Sequence, residues 1–291
     1  HKRFVLLTLA IVAGVLIHTR FVPTPSPELP LSLSLVQATA HPDEQTIRMQ
    51  GGEAAQAVWM IKQRKLQMLT LSSSADIIIW PEAQLRLPIA LKGSQAETRL
   101  WPALGGSHQR LIAGAVTIDS QQGAAWNSLY VMNNESIIAK YDKSRLTPFG
   151  EYIPWPFSLL PLPVITSIST QYGTGLKLLP LKGEYSFLPL ICYEDVFGHE
   201  VQTAVKAKRP ELLISISNDA WFGNSAGPHQ HLAYAQLRAA ELGLPLARVA
   251  NTGITALIDA RGKIVKQIDL FKTSILNINT PGSTEPTYYA Q

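Results

Sequence analysis

A single cysteine, Cys192, stands among 291 residues. No internal disulfide can form, so the fold must be held by burial of a hydrophobic core. One thiol also cannot build a cysteine-rich zinc site. Cys192 is therefore either a small buried apolar residue or a group that does chemistry. The material for a core is present: 46% of residues are hydrophobic and 16% are charged, against about 25% charged in an average soluble domain. That balance excludes intrinsic disorder, which needs few apolar residues and much charge. With 19 Gly and 20 Pro, collagen-like and low-complexity chains are excluded as well. Lys and Arg number 25 against 21 Asp and Glu, a formal charge of +4. They are scattered along the chain, so no nucleic-acid face is expected.

The sequence opens on His1, not Met, and is expected to be a piece of a longer chain. His1-Lys2-Arg3 precede an apolar run from Phe4 to Ile17, which Phe21-Val22 extend toward the length of a membrane helix. The positive residues ahead of it would stay cytoplasmic. The alternative is the apolar region of a signal peptide; no convincing small-x-small cleavage site follows, which favours a transmembrane segment over 1–22. Both readings put the remainder on the far side of a membrane. A Pro-rich stretch from Pro23 to Pro30 reads as a linker. One long apolar run and a mean hydropathy of +0.08 argue against several membrane spans.

Beyond the linker the chain alternates strand-like and helix-like segments. Strands are expected at 31–36, 76–80, 110–118, 127–132, 136–141, 185–192, 212–217, 246–250, 254–259 and 263–268, the last two joined by a hairpin at Ala260-Arg261-Gly262. Helices are expected at 43–71, broken near its start by Gly51-Gly52, at 194–207 and at 231–242. The first of these places Ala54, Val58, Ile61 and Met68 on one face. Some strands are wholly apolar and others alternate, which argues for an α/β domain with helices covering its sheets.

Three polar residues end strongly apolar strands. Glu82 follows Ile77-Ile78-Ile79-Trp80-Pro81, Lys143 follows Ile137-Ile138-Ala139-Lys140-Tyr141-Asp142, and Cys192 follows Leu188-Pro189-Leu190-Ile191. Strand ends are where layered α/β folds place reacting groups. Each residue also has a plain reading: Cys192 as core, Glu82 as a turn residue, Lys143 as a solvated lysine. Together they form a coherent set, with the thiol as nucleophile, the carboxylate as base and the ammonium facing an oxyanion beside the Tyr193 N–H.

The wording around them is Trp80-Pro81-Glu82, Tyr141-Asp142-Lys143, Pro148-Phe149-Gly150-Glu151-Tyr152-Ile153-Pro154, Ile191-Cys192-Tyr193-Glu194-Asp195 and Ser217-Asn218-Asp219-Ala220-Trp221-Phe222-Gly223. In this order the set resembles the nitrilase, or carbon–nitrogen hydrolase, superfamily, and within it the apolipoprotein N-acyltransferase branch, over residues 31–280. The resemblance implies a four-layer α-β-β-α nitrilase-like sandwich preceded by one N-terminal membrane helix, with no cofactor and no metal. It also implies a tail, 281–291, leading to a further membrane helix. It gives Glu82 as general base, Lys143 as oxyanion lysine and Cys192 as nucleophile, with Glu151, Tyr193 and Glu194 in support. Asn218, Trp221 and Phe222 are candidates for substrate contact, and Asn218-Asp219 could equally only form a turn. After Gln37 the chain departs from the family's usual wording: Ala38-Thr39 follow, and no Trp stands between His41 and Gln50.

The expected reaction moves an acyl chain from a phospholipid, through a thioester on Cys192, to the α-amine of a diacylglyceryl-cysteine at an apolipoprotein N-terminus. The partners are then the phospholipid donor, the apolipoprotein acceptor and the lipid bilayer, with the catalytic domain on the periplasmic side of a bacterial inner membrane. Trp155 to Ile165 would form an arm toward the bilayer or an ordinary Pro-rich loop. Alternatives are an amidase or nitrilase using the same triad on a small amide, a Cys-His hydrolase pairing Cys192 with His199 or His229, and a non-catalytic envelope domain. His229-x-His231 is a weak metal signal and reads instead as polar residues at a helix start.

Overall fold

The computed structural model describes Thr8 and residues 26–41, 43–88, 104–119, 121–159 and 171–291. The expected membrane segment, apart from Thr8, lies outside them, as does the expected arm beyond residue 159. Among the described residues no helix is long and apolar enough to cross a membrane. The strands are β1 (Leu29–Gln37), β2 (Ile77–Ile79), β3 (Leu85–Pro88), β4 (Arg110–Asp119), β5 (Ala124–Met132), β6 (Ile137–Asp142), β7 (Leu179–Lys182), β8 (Tyr185–Ile191), β9 (Leu212–Ser217), β10 (Leu246–Ala250), β11 (Thr255–Ile258), β12 (Ile264–Ile268) and β13 (Ser274–Thr280). The helices are α1 (Glu44–Gln50), α2 (Gly52–Leu71), α3 (Gly198–Ala207) and α4 (Gly227–Leu242).

Two mixed sheets stack face to face. One runs β13-β1-β2-β4-β5-β6, with β3 also paired to β4; the other runs β12-β11-β10-β9-β8-β7. The parallel pairs, β1–β2–β4 and β8–β9–β10, sit inside each sheet. There both faces are covered, so the strands read as unbroken apolar runs. Leu33, Leu35, Ile77, Ile79 and Ile112 of the first sheet meet Phe187, Ile191, Ile214, Ile216 and Val249 of the second in one core. On the outer face of the first sheet, Ile78, Trp80 and Leu111 pack with Leu66 of α2. On that of the second, Leu188, Leu190 and Leu213 pack with Val201 of α3 and Ala235 and Ala239 of α4. The layers are helix, sheet, sheet, helix, the α/β sandwich expected.

Several elements differ from expectation. β1 begins at Leu29, inside the segment read as linker. The helix read at 43–71 is two helices divided at Gly51, where φ is +72°. Its inner face also differs. Val58, Lys62, Leu66 and Thr70 are buried, while Ile61 and Met68 face outward, Met68 72% exposed. Counting apolar residues misplaces this stripe because two of its members are polar. Lys62 is held inside by Glu44 of α1 at 2.5 Å, and Thr70 accepts from the Trp80 indole at 2.9 Å. The helix read from Glu194 starts at Gly198, after a single 3-10 turn at Cys192–Val196, and α4 starts at Gly227, ahead of His231. β3, β7 and β13 escape sequence patterning. β7 and β13 are edge strands, β3 pairs only with β4, and β3 and β7 carry a proline, which weakens any strand signal.

Candidate active site

The C-terminal ends of β2, β6, β8 and β9 open onto one cavity of about 350 Å³. Glu82 reaches it from a turn docked on β4. Gly114 N–H donates to the Pro81 carbonyl at 3.1 Å, and Gln84 N–H donates to the Gly114 carbonyl at 2.8 Å. A Cβ on Gly114 would lie 2.5 Å from Glu82 Cα, so glycine is what lets the turn close on the strand. Lys143 follows β6, anchored by its N–H to the Asn127 carbonyl at 2.8 Å; it is 1% exposed. Cys192 follows β8 with a positive φ of 53°. For a residue with a side chain that region costs of order 1–3 kcal/mol, and such strain collects at functional sites.

Glu82, Lys143, Glu151, Cys192 and Tyr193 all line the cavity, whose walls include Phe149, Val196, Trp221, Phe222 and Tyr234. Lys143 Nζ lies 3.8 Å from Glu82 Oε1 and 2.7 Å from Glu151 Oε2. Asn127 Nδ2 bridges the two acids, donating to Glu82 Oε1 at 2.6 Å and Glu151 Oε1 at 3.0 Å. Glu82 Oε2 is left without a hydrogen-bond partner among the described residues. Glu194 ties the cysteine turn to the lysine loop. Its Oε1 accepts from the Tyr141 hydroxyl at 2.6 Å and from the N–H groups of Ser144 and Arg145 at 2.7 and 3.2 Å. Its Oε2 accepts from Ile191 N–H at 2.8 Å.

The electrostatics follow from burial. Glu82 is raised above the ordinary carboxylate value because burial, aided by Glu151, outweighs the Lys143 charge. Cys192 is raised as well, by burial and then by Glu82, against the opposing pull of Lys143. Burial works against the Lys143 ammonium, but Glu82, Cys192 and Glu151 together hold it protonated. Glu151 is lowered, because Lys143 and its hydrogen bonds overcome burial. A thiol in this setting keeps its proton until it attacks, and a carboxylate of raised basicity beside it can take that proton.

Of the candidate substrate-contact residues, Trp221 and Phe222 line the cavity. Asn218 stands behind it, its Oδ1 accepting from Asn251 Nδ2 at 3.0 Å. Asn251 in turn reaches the Glu82 carbonyl at 3.3 Å, so Asn218 supports the glutamate turn. Of the residues of the Cys-His alternative, His199 and His229 are not among the cavity's lining. His231 is, and it is buried beside Asp195, Asp219 and Arg248. Sequence reasoning missed this cluster and Asn127. The available signal was Arg248, a charged residue inside the apolar strand β10.

Residues 33–285 match the carbon–nitrogen hydrolase family. Among curated proteins, the chain is 40% identical over 233 residues to an apolipoprotein N-acyltransferase of Bradyrhizobium diazoefficiens, covering 75% of this chain and 42% of that protein. It is 33% identical over 300 residues to that of Photobacterium profundum, covering 94% and 56%. The chain thus spans about half the length of these relatives or less. Among solved structures, Nit3 of Saccharomyces cerevisiae, a member of branch 10 of the nitrilase superfamily, superposes with a TM-score of 0.57 at 16% identity, covering 88% of this chain and 91% of that one. An amidase from Nesterenkonia sp. superposes with a TM-score of 0.54 at 14% identity, covering 92% and 94%. These last two likenesses concern the fold. With the match spanning most of its length, the chain belongs to the carbon–nitrogen hydrolase family.

Proposed function

We propose that this chain carries the catalytic domain of an apolipoprotein N-acyltransferase, with Cys192 as nucleophile, Glu82 as general base and Lys143 as oxyanion-stabilising cation. Glu82 takes the Cys192 proton as Sγ attacks the ester carbonyl of a phospholipid. Lys143 Nζ and the Tyr193 N–H hold the tetrahedral oxyanion. The C–O bond breaks, the proton passes from Glu82 to the leaving oxygen, and a lysophospholipid departs from a Cys192 thioester. The α-amine of a diacylglyceryl-cysteine then attacks the thioester, Glu82 accepts the amine proton and returns it to Sγ, and an amide forms. Two easy steps replace one difficult one.

The observation that carries this reading over a small-amide hydrolase is the apolar character of the cavity and its rim. Phe149, Val196, Trp221, Phe222 and Tyr234 wall the space beside the thiol. Phe149 meets Phe157 edge to face at 5.5 Å, and Trp155 and Leu159, two residues to either side of Phe157 in the sequence, are 80% and 77% exposed. Large apolar side chains left in water mark a lipid or protein surface. A small polar amide needs none of them. The named relatives agree with this reading, and an anchored domain on the periplasmic side of the inner membrane is the setting it implies. The test is transfer from phospholipid vesicles to a diacylglyceryl-cysteine peptide. N-acylated product should form with the native chain and fall at least about 1,000-fold in Cys192→Ala and Glu82→Gln. Ammonia release from small amides with no peptide acylation would assign the amidase alternative instead.

A further inference from the structure

His231 is absent from the acyl-transfer scheme above, yet it lies directly beneath the nucleophile. Its Nε2 is 3.2 Å from the backbone carbonyl of Cys192. Its Nδ1 is 2.8 Å from Asp219 Oδ1, and Nε2 is also 3.2 Å from Asp195 Oδ1. The Ser217 hydroxyl, 3.5 Å from Nδ1, donates to Asp219 Oδ1 instead; the other oxygens facing the ring are carboxylates or a carbonyl, so both ring nitrogens donate and the ring is an imidazolium. Arg248 stands across from it, 2.7 Å from Asp219 Oδ2 and 3.4 Å from Asp195 Oδ2, and the Phe222 ring meets it edge-on at 6.3 Å. Two basic and two acidic side chains therefore face one another inside a buried cluster. Burial and Arg248 press the imidazole toward neutrality, but Asp195 and Asp219 outweigh them and raise it to about 9. Gly253 completes the packing: a Cβ there would fall 2.1 Å from Asp219 Oδ2.

The consequence lies in the next peptide bond. In a planar trans peptide the C=O of one residue and the N–H of the next point in opposite directions. Whatever fixes the Cys192 carbonyl also fixes the Tyr193 N–H. Cys192 holds a left-handed backbone conformation, φ 53°, that its own side chain disfavours, so something outside the turn must hold it.

We propose that His231 is a positioning residue for the oxyanion donor: by donating Nε2–H to the Cys192 carbonyl it fixes the Cys192–Tyr193 peptide so that the Tyr193 N–H faces the reacting carbonyl. It lines the cavity, but its effect on the reaction runs through the turn. The proposal rests on Cys192 being the nucleophile but not on which acyl donor it uses.

The test separates two reactions of the same thiol in the full chain in detergent micelles. Acylation by p-nitrophenyl butyrate passes through an oxyanion; alkylation by iodoacetamide is a displacement at saturated carbon and does not. His231→Leu should slow the p-nitrophenolate burst by about 100-fold, at least about tenfold more than loss of the nearby charge slows alkylation. His231→Gln, which keeps an N–H donor, should recover acylation to within about tenfold of the native rate. Parallel losses of acylation and alkylation in both variants would show a merely structural role and overturn the proposal, as would undiminished acylation in His231→Leu. A native chain that is alkylated but never acylated would instead remove the reading of Cys192 as nucleophile.

Discussion

Asn127 bridges the two acids of the cavity, its single Nδ2 donating to both Glu82 and Glu151. Replacing it by leucine leaves two buried carboxylate oxygens without that donor, and each orphaned group costs about 1–3 kcal/mol. Asn127→Leu should therefore lower acyl transfer by about 100-fold and raise the proton affinity of Glu82 further. The native pH profile carries the same signature. Glu82 is already raised above its reference value of 4.5 by burial, and in the proposed mechanism it must be ionised to accept the thiol proton. The acid limb of kcat/KM should lie above pH 4.5 and move up again in Asn127→Leu, measured as the rate of acylation against pH; a limb at or below 4.5 would contradict the assignment. The three reactive candidates were legible in the sequence because each closes an apolar strand. Asn127 was not, because it lies within a strand, and its function depends on Glu82, 45 residues away, and on Glu151.

The strands of the sandwich differ in how openly the sequence shows them. β2, β8, β9 and β10 are short apolar runs buried on both faces, a pattern that stands out in any reading. β7 and β13 lie at sheet edges, where one side of the strand has no partner and composition carries less information. α2 shows a different limit: a buried ion pair and a buried hydroxyl put polar residues on the inner face, so the apolar count points the wrong way. Two substitutions check that finding. Leu66→Ala, at a fully buried position, should cost about 2–5 kcal/mol in urea unfolding, whereas Met68→Ser on the outer face should stay within about 0.5 kcal/mol. A large loss from Met68→Ser would mean that this face is covered. Gly114→Ala tests the turn on β4. Its Cβ has no room beside Glu82, so the chain should lose acyl transfer even where it still folds, with a Tm several degrees lower.

Stacking two sheets brings the glutamate and lysine that follow strands of one to the cysteine that follows β8 of the other and to the histidine of α4, so assembly of the whole sandwich and of the site are one event. The layered α/β class was readable from the alternation of elements, and Glu82, Lys143 and Cys192 were expected to share one site; that His231 joins them was not readable, because strand order is set by long-range pairing. The pH dependence of stability reports the same closure. His231 is raised from 6.5 to about 9 in the folded chain, so its stabilising effect is present in full below pH 6.5 and is lost as pH rises through about 9, a change of about 3 kcal/mol. Urea midpoints should fall over that window in the native chain and much less in His231→Gln; equal slopes would contradict the charge assigned to the cluster. The central claim, that Cys192 takes an acyl chain from phospholipid, is tested most directly by acid-quenched mass spectrometry of the chain after mixing with phospholipid vesicles. The expected result is one fatty-acyl mass on the peptide bearing Cys192, absent in Cys192→Ala and discharged by a diacylglyceryl-cysteine peptide. An unmodified Cys192 under those conditions, in a chain that releases ammonia from a small amide, would contradict it.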